Sequence, residues 1–65
     1  MSIVETISTL DHALAVSELG KFLQLGKTAI YDMVKRGAIP HIRIGYSIRF
    51  DPTEIADWLR KRAFK

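Results

Sequence analysis

Apolar residues recur along this chain first at helical spacing, then at strand spacing, then at helical spacing again. Val16, Leu19, Phe22 and Leu23 fall on one side of a helix predicted over 16–23, and Glu18 follows Ala15 at the distance of a capping-box acid. Leu25 and Gly26 break that pattern. It resumes from Lys27 to Arg36, where Ile30, Met33 and Val34 share a side, and Gly37 supplies the residue type that closes a helix in the left-handed conformation. Two short helices joined by a tight, glycine-containing turn form a helix-turn-helix pattern.

From Ile39 to Phe50 the period changes to two. Ile42-Arg43-Ile44, a Gly45-Tyr46-Ser47 tip and Ile48-Arg49-Phe50 predict a β-hairpin. A loop of all three tip residues sets Ile44 against Ile48 and Ile42 against Phe50, which gathers the four apolar side chains on one face and places Arg43 opposite Arg49. A loop of two residues splits the apolar set. Such three-residue loops ordinarily carry glycine last, whereas Gly45 comes first. Asp51, Pro52 and Glu54 then mark a helix start as cap, first helical residue and acid in the third position. Ile55, Trp58 and Leu59 are its expected buried stripe, and Arg60, Lys61 and Arg62 favour the negative end of its dipole.

Residues 1–12 show no sustained period and are expected to form a flexible arm or a loosely docked strand, leaving 13–65 as the folded domain. The fold class expected is α+β, mainly α: two N-terminal helices, a β-hairpin wing and a C-terminal helix. At 65 residues the chain supports one modest core, and without cysteine it has neither disulfides nor a thiolate metal site to reinforce it. Its apolar runs are too short for a bilayer span and its start lacks a leader-like pattern, so the expectation is a cytoplasmic, monomeric protein without membrane contact. His12 and His41 stand far apart, and no nucleophile, base and orienter can be grouped; no enzyme, cofactor or small-molecule substrate is expected.

Net charge is +3, with a pI near 9.6, and its distribution says more than its size. Residues 27–49 carry +4 and residues 60–65 carry +4, while residues 1–26 and 50–59 are net acidic. The positive field belongs to the second helix, the hairpin and the end of the chain.

The order of elements resembles the small winged helix-turn-helix domains of the MerR-like excisionase family. The resemblance runs from about Leu14 to Arg60 and is carried by Leu14-Ala15-Val16-Ser17-Glu18-Leu19, Ala29-Ile30-Tyr31, Lys35-Arg36-Gly37-Ala38-Ile39-Pro40 and, most specifically, Ile42-Arg43-Ile44-Gly45-Tyr46-Ser47-Ile48-Arg49-Phe50. It implies double-stranded DNA as partner, with the second helix in the major groove and the wing at the minor groove or flanking backbone. An excisionase-like recombination directionality factor or a small transcription regulator would be the role, with an integrase or further copies of the chain as companions on DNA. Ala15 stands where the family often has a capping threonine, and Gln24 and Gly26 where it often has glycine and serine. The reading from a different class is an adaptor that recruits a recombinase or packaging enzyme through its third helix.

Lys27 opens the second helix, where a cation opposes the dipole at a cost of roughly 0.3–1 kcal/mol, and this end of a recognition helix points at the duplex. Thr28, Tyr31 and Lys35 continue its stripe, with a base, a phosphate hydrogen bond and backbone charge as their candidate contacts. Tyr31 is equally readable as half-buried packing. Arg43 and Arg49, like charges facing each other in the three-residue register, would be relieved by an anion. Tyr46 and Ser47 either reach the groove or simply form the turn.

Overall fold

The computed structural model describes residues 2–63, with the side chain of residue 63 left aside. Four helices, α1 (Ile3–Ser8), α2 (Val16–Leu23), α3 (Lys27–Lys35) and α4 (Pro52–Ala63), accompany three short strands, β1 (Leu14–Ala15), β2 (Ile42–Ile44) and β3 (Ser47–Phe50). The strands form one antiparallel sheet in the order β1-β3-β2. This is a mainly helical winged helix-turn-helix fold of α+β class, as the sequence leads one to expect.

Besides strand β1, which adds a third strand to the expected hairpin, two features differ from expectation. Residues 3–8, read as part of an arm, are helical instead: Ser2 accepts from the Glu5 amide at 3.2 Å while Glu5 accepts from the Ser2 amide at 3.1 Å, and α1 packs against α4 with Ile7 fully buried. A helix of six residues is too short to be stable alone, so this one depends on the apolar side chains it lays on α4. The second difference is the hairpin register. Ile44 pairs with Ser47, Arg43 with Ile48 and Ile42 with Arg49, so the loop has two residues rather than three. Gly45 at φ +60° in the first loop position, followed by a non-glycine residue of negative φ, suits the type II′ turn whose twist matches that of the strands. Turn chemistry therefore prevails over apolar alternation. Ile42 and Ile44 face away from Phe50, and Arg43 and Arg49 lie on opposite faces, without the cross-strand repulsion the other register implies.

The helix-turn-helix is fixed by its ends. Ala15 has no side chain able to cap α2, but Glu18 supplies the reverse half of the box by accepting from the Ala15 amide at 3.1 Å. At the other end Gln24 takes the left-handed conformation, and the Leu25 amide donates to the Gly20 carbonyl at 2.9 Å. A Cβ on Gly20 would come within 2.7 Å of the Leu25 carbonyl oxygen, a backbone atom, so glycine is what lets the turn close on α2. Helix α3 ends in a Schellman motif: Ala38 donates to the Met33 carbonyl at 2.8 Å and Gly37, at φ +68°, to that of Val34 at 3.0 Å. Asp51 caps α4 through the Thr53 amide at 3.1 Å.

Leu14 pairs with Phe50 in the sheet, and both side chains are fully buried with Ile7, Leu19, Ile30 and Ile55. Trp58 is half-buried at the edge of this core, donates Nε1–H to the Ala38 carbonyl at 3.0 Å and carries the Arg62 guanidinium over its ring at 4.5 Å. The core thus clamps α3 and the wing to one body.

Gln24 is exposed, and an L-residue in the left-handed region costs about 1–2 kcal/mol. Gln24→Gly is expected to stabilise the domain by about 0.5–1 kcal/mol after the added unfolded-state entropy of glycine is subtracted, raising Tm by about 3–6 °C. A calorimetric scan in which the variant melts below the parent would show that the Gln24 side chain makes up for its strain.

Candidate nucleic-acid interface

The β2–β3 loop with strand β3, the start of α2 and the outer side of α3 enclose a cleft of about 230 Å³. Lys27 and Tyr31 line it from α3, and Tyr46, Ser47 and Arg49 from the wing. Five of the eight residues singled out in the sequence meet here. Lys27 is exposed and Tyr31 half-exposed, Tyr46 stands fully in solvent, and Arg49 is half-buried. Its guanidinium donates from Nη1 to the Ile48 carbonyl at 2.9 Å, which leaves most of its donors open.

The other three sit elsewhere. Thr28 and Lys35 are exposed on α3 outside the cleft, and Lys35 lies in the last turn, where a cation favours the dipole for structural reasons. Arg43 pairs with Ile48 and so points to the opposite side of the wing from Arg49. The expectation that the two arginines form one anion site is corrected by the two-residue loop.

The start of α2 contributes what the sequence reading left out. Ala15, Val16 and Ser17 line the cleft, and because Ala15 offers no capping oxygen, the first amides of α2 have no side-chain partner at the cap. Helix α3 also begins without a side-chain cap, at Gly26, and has no acid in its first turn. The N-termini of α1 and α4 are, in contrast, both capped by side chains. The start of α3, Lys27 and Arg49 together favour an anion in or over this cleft, whereas Glu18 in the first turn of α2 offsets the dipole of that helix. The only hint in the sequence was alanine in a cap position.

Beside the cleft, a small ionic cluster ties the start of the sheet to α2. The His12 ring lies 3.4 Å from Asp11 Oδ1 through Nδ1 and 3.2 Å from Glu18 Oε2 through Nε2. Hydrogen bonds to Asp11 and then to Glu18 raise the His12 pKa, while the Ala15 amide first and His12 second lower that of Glu18. Histidine with a raised folded pKa stabilises fully below its ordinary value of 6.5, and this is lost as pH rises through the folded pKa. Glutamate with a lowered one stabilises above its ordinary 4.5, and this is lost as pH falls through the folded pKa. The two contributions overlap between those ordinary values. Thermal melts should therefore show stability declining as pH rises above 6.5, and His12→Ala should flatten that decline. An identical pH profile in the variant would show that the cluster does not act on folding.

No group of three or more histidine or acidic side chains is arranged to hold a metal ion among the described residues, and none of their helices is long and apolar enough to cross a membrane. A family model described as a helix-turn-helix domain matches residues 13–63, which takes in everything from β1 to α4 and leaves α1 outside. Comparison with curated proteins returns no match, and comparison with solved structures returns none either.

Proposed function

The chain belongs to the helix-turn-helix domain family, and from that premise we propose that it binds double-stranded DNA sequence-specifically, with α3 in the major groove and the wing beside it. The observation that carries this reading is the cleft, where Lys27 and Tyr31 of the second helix of the motif meet Tyr46, Ser47 and Arg49 of the wing. Lys27 and Thr28, at the start of α3, are the base-reading residues in this proposal. Tyr31, Arg49, Ser47 and Tyr46 hold the backbone on either side of the cleft, and Lys35 and Arg43 add charge at the margins. Resemblance to excisionases makes a recombination directionality factor or a small transcription regulator the role, acting without catalysis, and with an integrase or further copies of the chain as companions.

Titration of the full chain against labelled duplexes at several salt concentrations tests this. About 4–6 phosphates neutralised gives a log–log slope of about −0.9 for each. A slope near zero would instead support the adaptor reading, which one observation favours: Leu25, 42% exposed in the turn, borders an apolar groove with Met33, Trp58 and Leu59.

A further inference from the structure

The two-residue loop leaves the wing with an unusual outer face. Side chains of directly paired residues share a face, so Ile42 stands with Arg49, and Ile44 with Ser47. Ile42 is 42% exposed, Ile44 61%, and Tyr46 at the tip is fully exposed. Phe50 and Ile48, on the other face, serve the core. Folding gains little from isoleucines held in water on the side away from the core. The face is continuous with the cationic cleft, because Arg49 and Ser47 belong to both.

We propose that Ile42, Ile44 and Tyr46 are an apolar contact surface for the deoxyribose edges of a DNA minor groove, supplying a share of affinity that salt does not screen. The inference rests on the DNA-binding reading above and goes beyond it by assigning the wing's grip to its isoleucines as well as to Arg49. In that reading Arg49 holds phosphate oxygens at the cleft, while Lys27 faces the bases. The parts of a duplex adjoining those phosphates are the sugars, whose carbon edges suit isoleucine, and apolar side chains are a recurrent means of contact in the minor groove. A second copy of the chain fits this face less well. Two isoleucines and a tyrosine offer only a few hundred Å², well short of the roughly 1,200 Å² a stable interface buries, and the adjacent Arg49 would meet a like charge in a symmetric pair.

The test compares the parent with Ile44→Ser, Ile42→Ser and the double variant on a labelled random-sequence duplex and on a single strand of the same composition, at several salt concentrations. Each serine is expected to weaken duplex binding by about tenfold, equally at every salt concentration and with the log–log slope unchanged. The loss should vanish on the single strand, which has no minor groove, and Ile44→Leu should keep most of the affinity. Melting temperatures should hold, since the residues are exposed. Parent-like duplex binding by the double variant, or a loss of equal size on the single strand, overturns the assignment while leaving DNA binding intact. Failure of the parent itself to bind duplex overturns both. A dimer of the parent in sedimentation that Ile44→Ser abolishes would give the face to a second copy and likewise overturn the proposal.

Discussion

Ile7→Ala is expected to remove about 2–5 kcal/mol of folding stability, from a total of about 3–10 kcal/mol for a domain of this length. Ile7 is fully buried in the core that also holds Leu14, Leu19, Phe50 and Ile55, although it comes from a six-residue helix outside the span of the family match. Truncation removes the transfer free energy of three carbons and leaves a cavity that a short helix pinned by its Ser2–Glu5 box fills only by shifting on α4. Urea unfolding should show a lower midpoint with an unchanged slope. Ile3, on the same helix but 43% exposed, is the control, and Ile3→Ala should stay within about 0.5 kcal/mol. If Ile7→Ala also stays within that margin, α1 is not part of the folded unit, and the arm that the sequence suggested is the better description.

This helix also shows where the sequence ceased to be legible. Helices α2, α3 and α4 could be placed from the residues because each combines a sustained apolar stripe with a terminal signal: Glu18 for α2, Gly37 for α3, and Asp51-Pro52 for α4. In α1 the Ser2–Glu5 signature is present, but six residues are too few for a period to emerge, and the helix exists because α4 receives it. The two-residue strand β1 is likewise a tertiary product, formed because Leu14 and Phe50 share the core. The wing failed for a different reason. Alternation of Ile42, Ile44, Ile48 and Phe50 favoured one register, and Gly45 in the first loop position favoured the other; the backbone cost of the wrong turn outweighed the burial of two isoleucines at a solvent-exposed edge. That single slip also decided the candidate site. Lys27, Tyr31, Tyr46, Ser47 and Arg49 converge as their chemistry suggested, Arg43 turns away, and Ala15 to Ser17 enter the cleft through backbone position, which side-chain identity does not reveal.

Removing both cations of the cleft should have the largest effect on binding. Lys27→Ala with Arg49→Ala is expected to weaken duplex DNA binding by about 2–4 kcal/mol, roughly thirtyfold to a thousandfold, and to make the log–log salt slope less negative by about two phosphate equivalents. The two residues approach the cleft from different elements, α3 and β3, so a duplex seated over it meets both charges. Stability should change little. Lys27 opposes its own helix dipole and its loss relieves about 0.3–1 kcal/mol, while Arg49 gives up one hydrogen bond to the Ile48 carbonyl. Arg43→Ala is the decisive comparison, because the two arginines are equivalent in sequence pattern and opposite in structure. Facing away from the cleft, Arg43 should contribute only long-range field, so its loss should shift the slope much less than loss of Arg49. Affinity measured for each single variant and for the double, on specific and random duplexes, separates the roles further. Lys27→Ala should alter preference among sequences, and Arg49→Ala should weaken all sequences alike. Equal losses for Arg43→Ala and Arg49→Ala would show that the wing acts as a diffuse charge and that the cleft is not where the phosphate binds. An unchanged slope in the double variant would remove the cleft from the interface altogether.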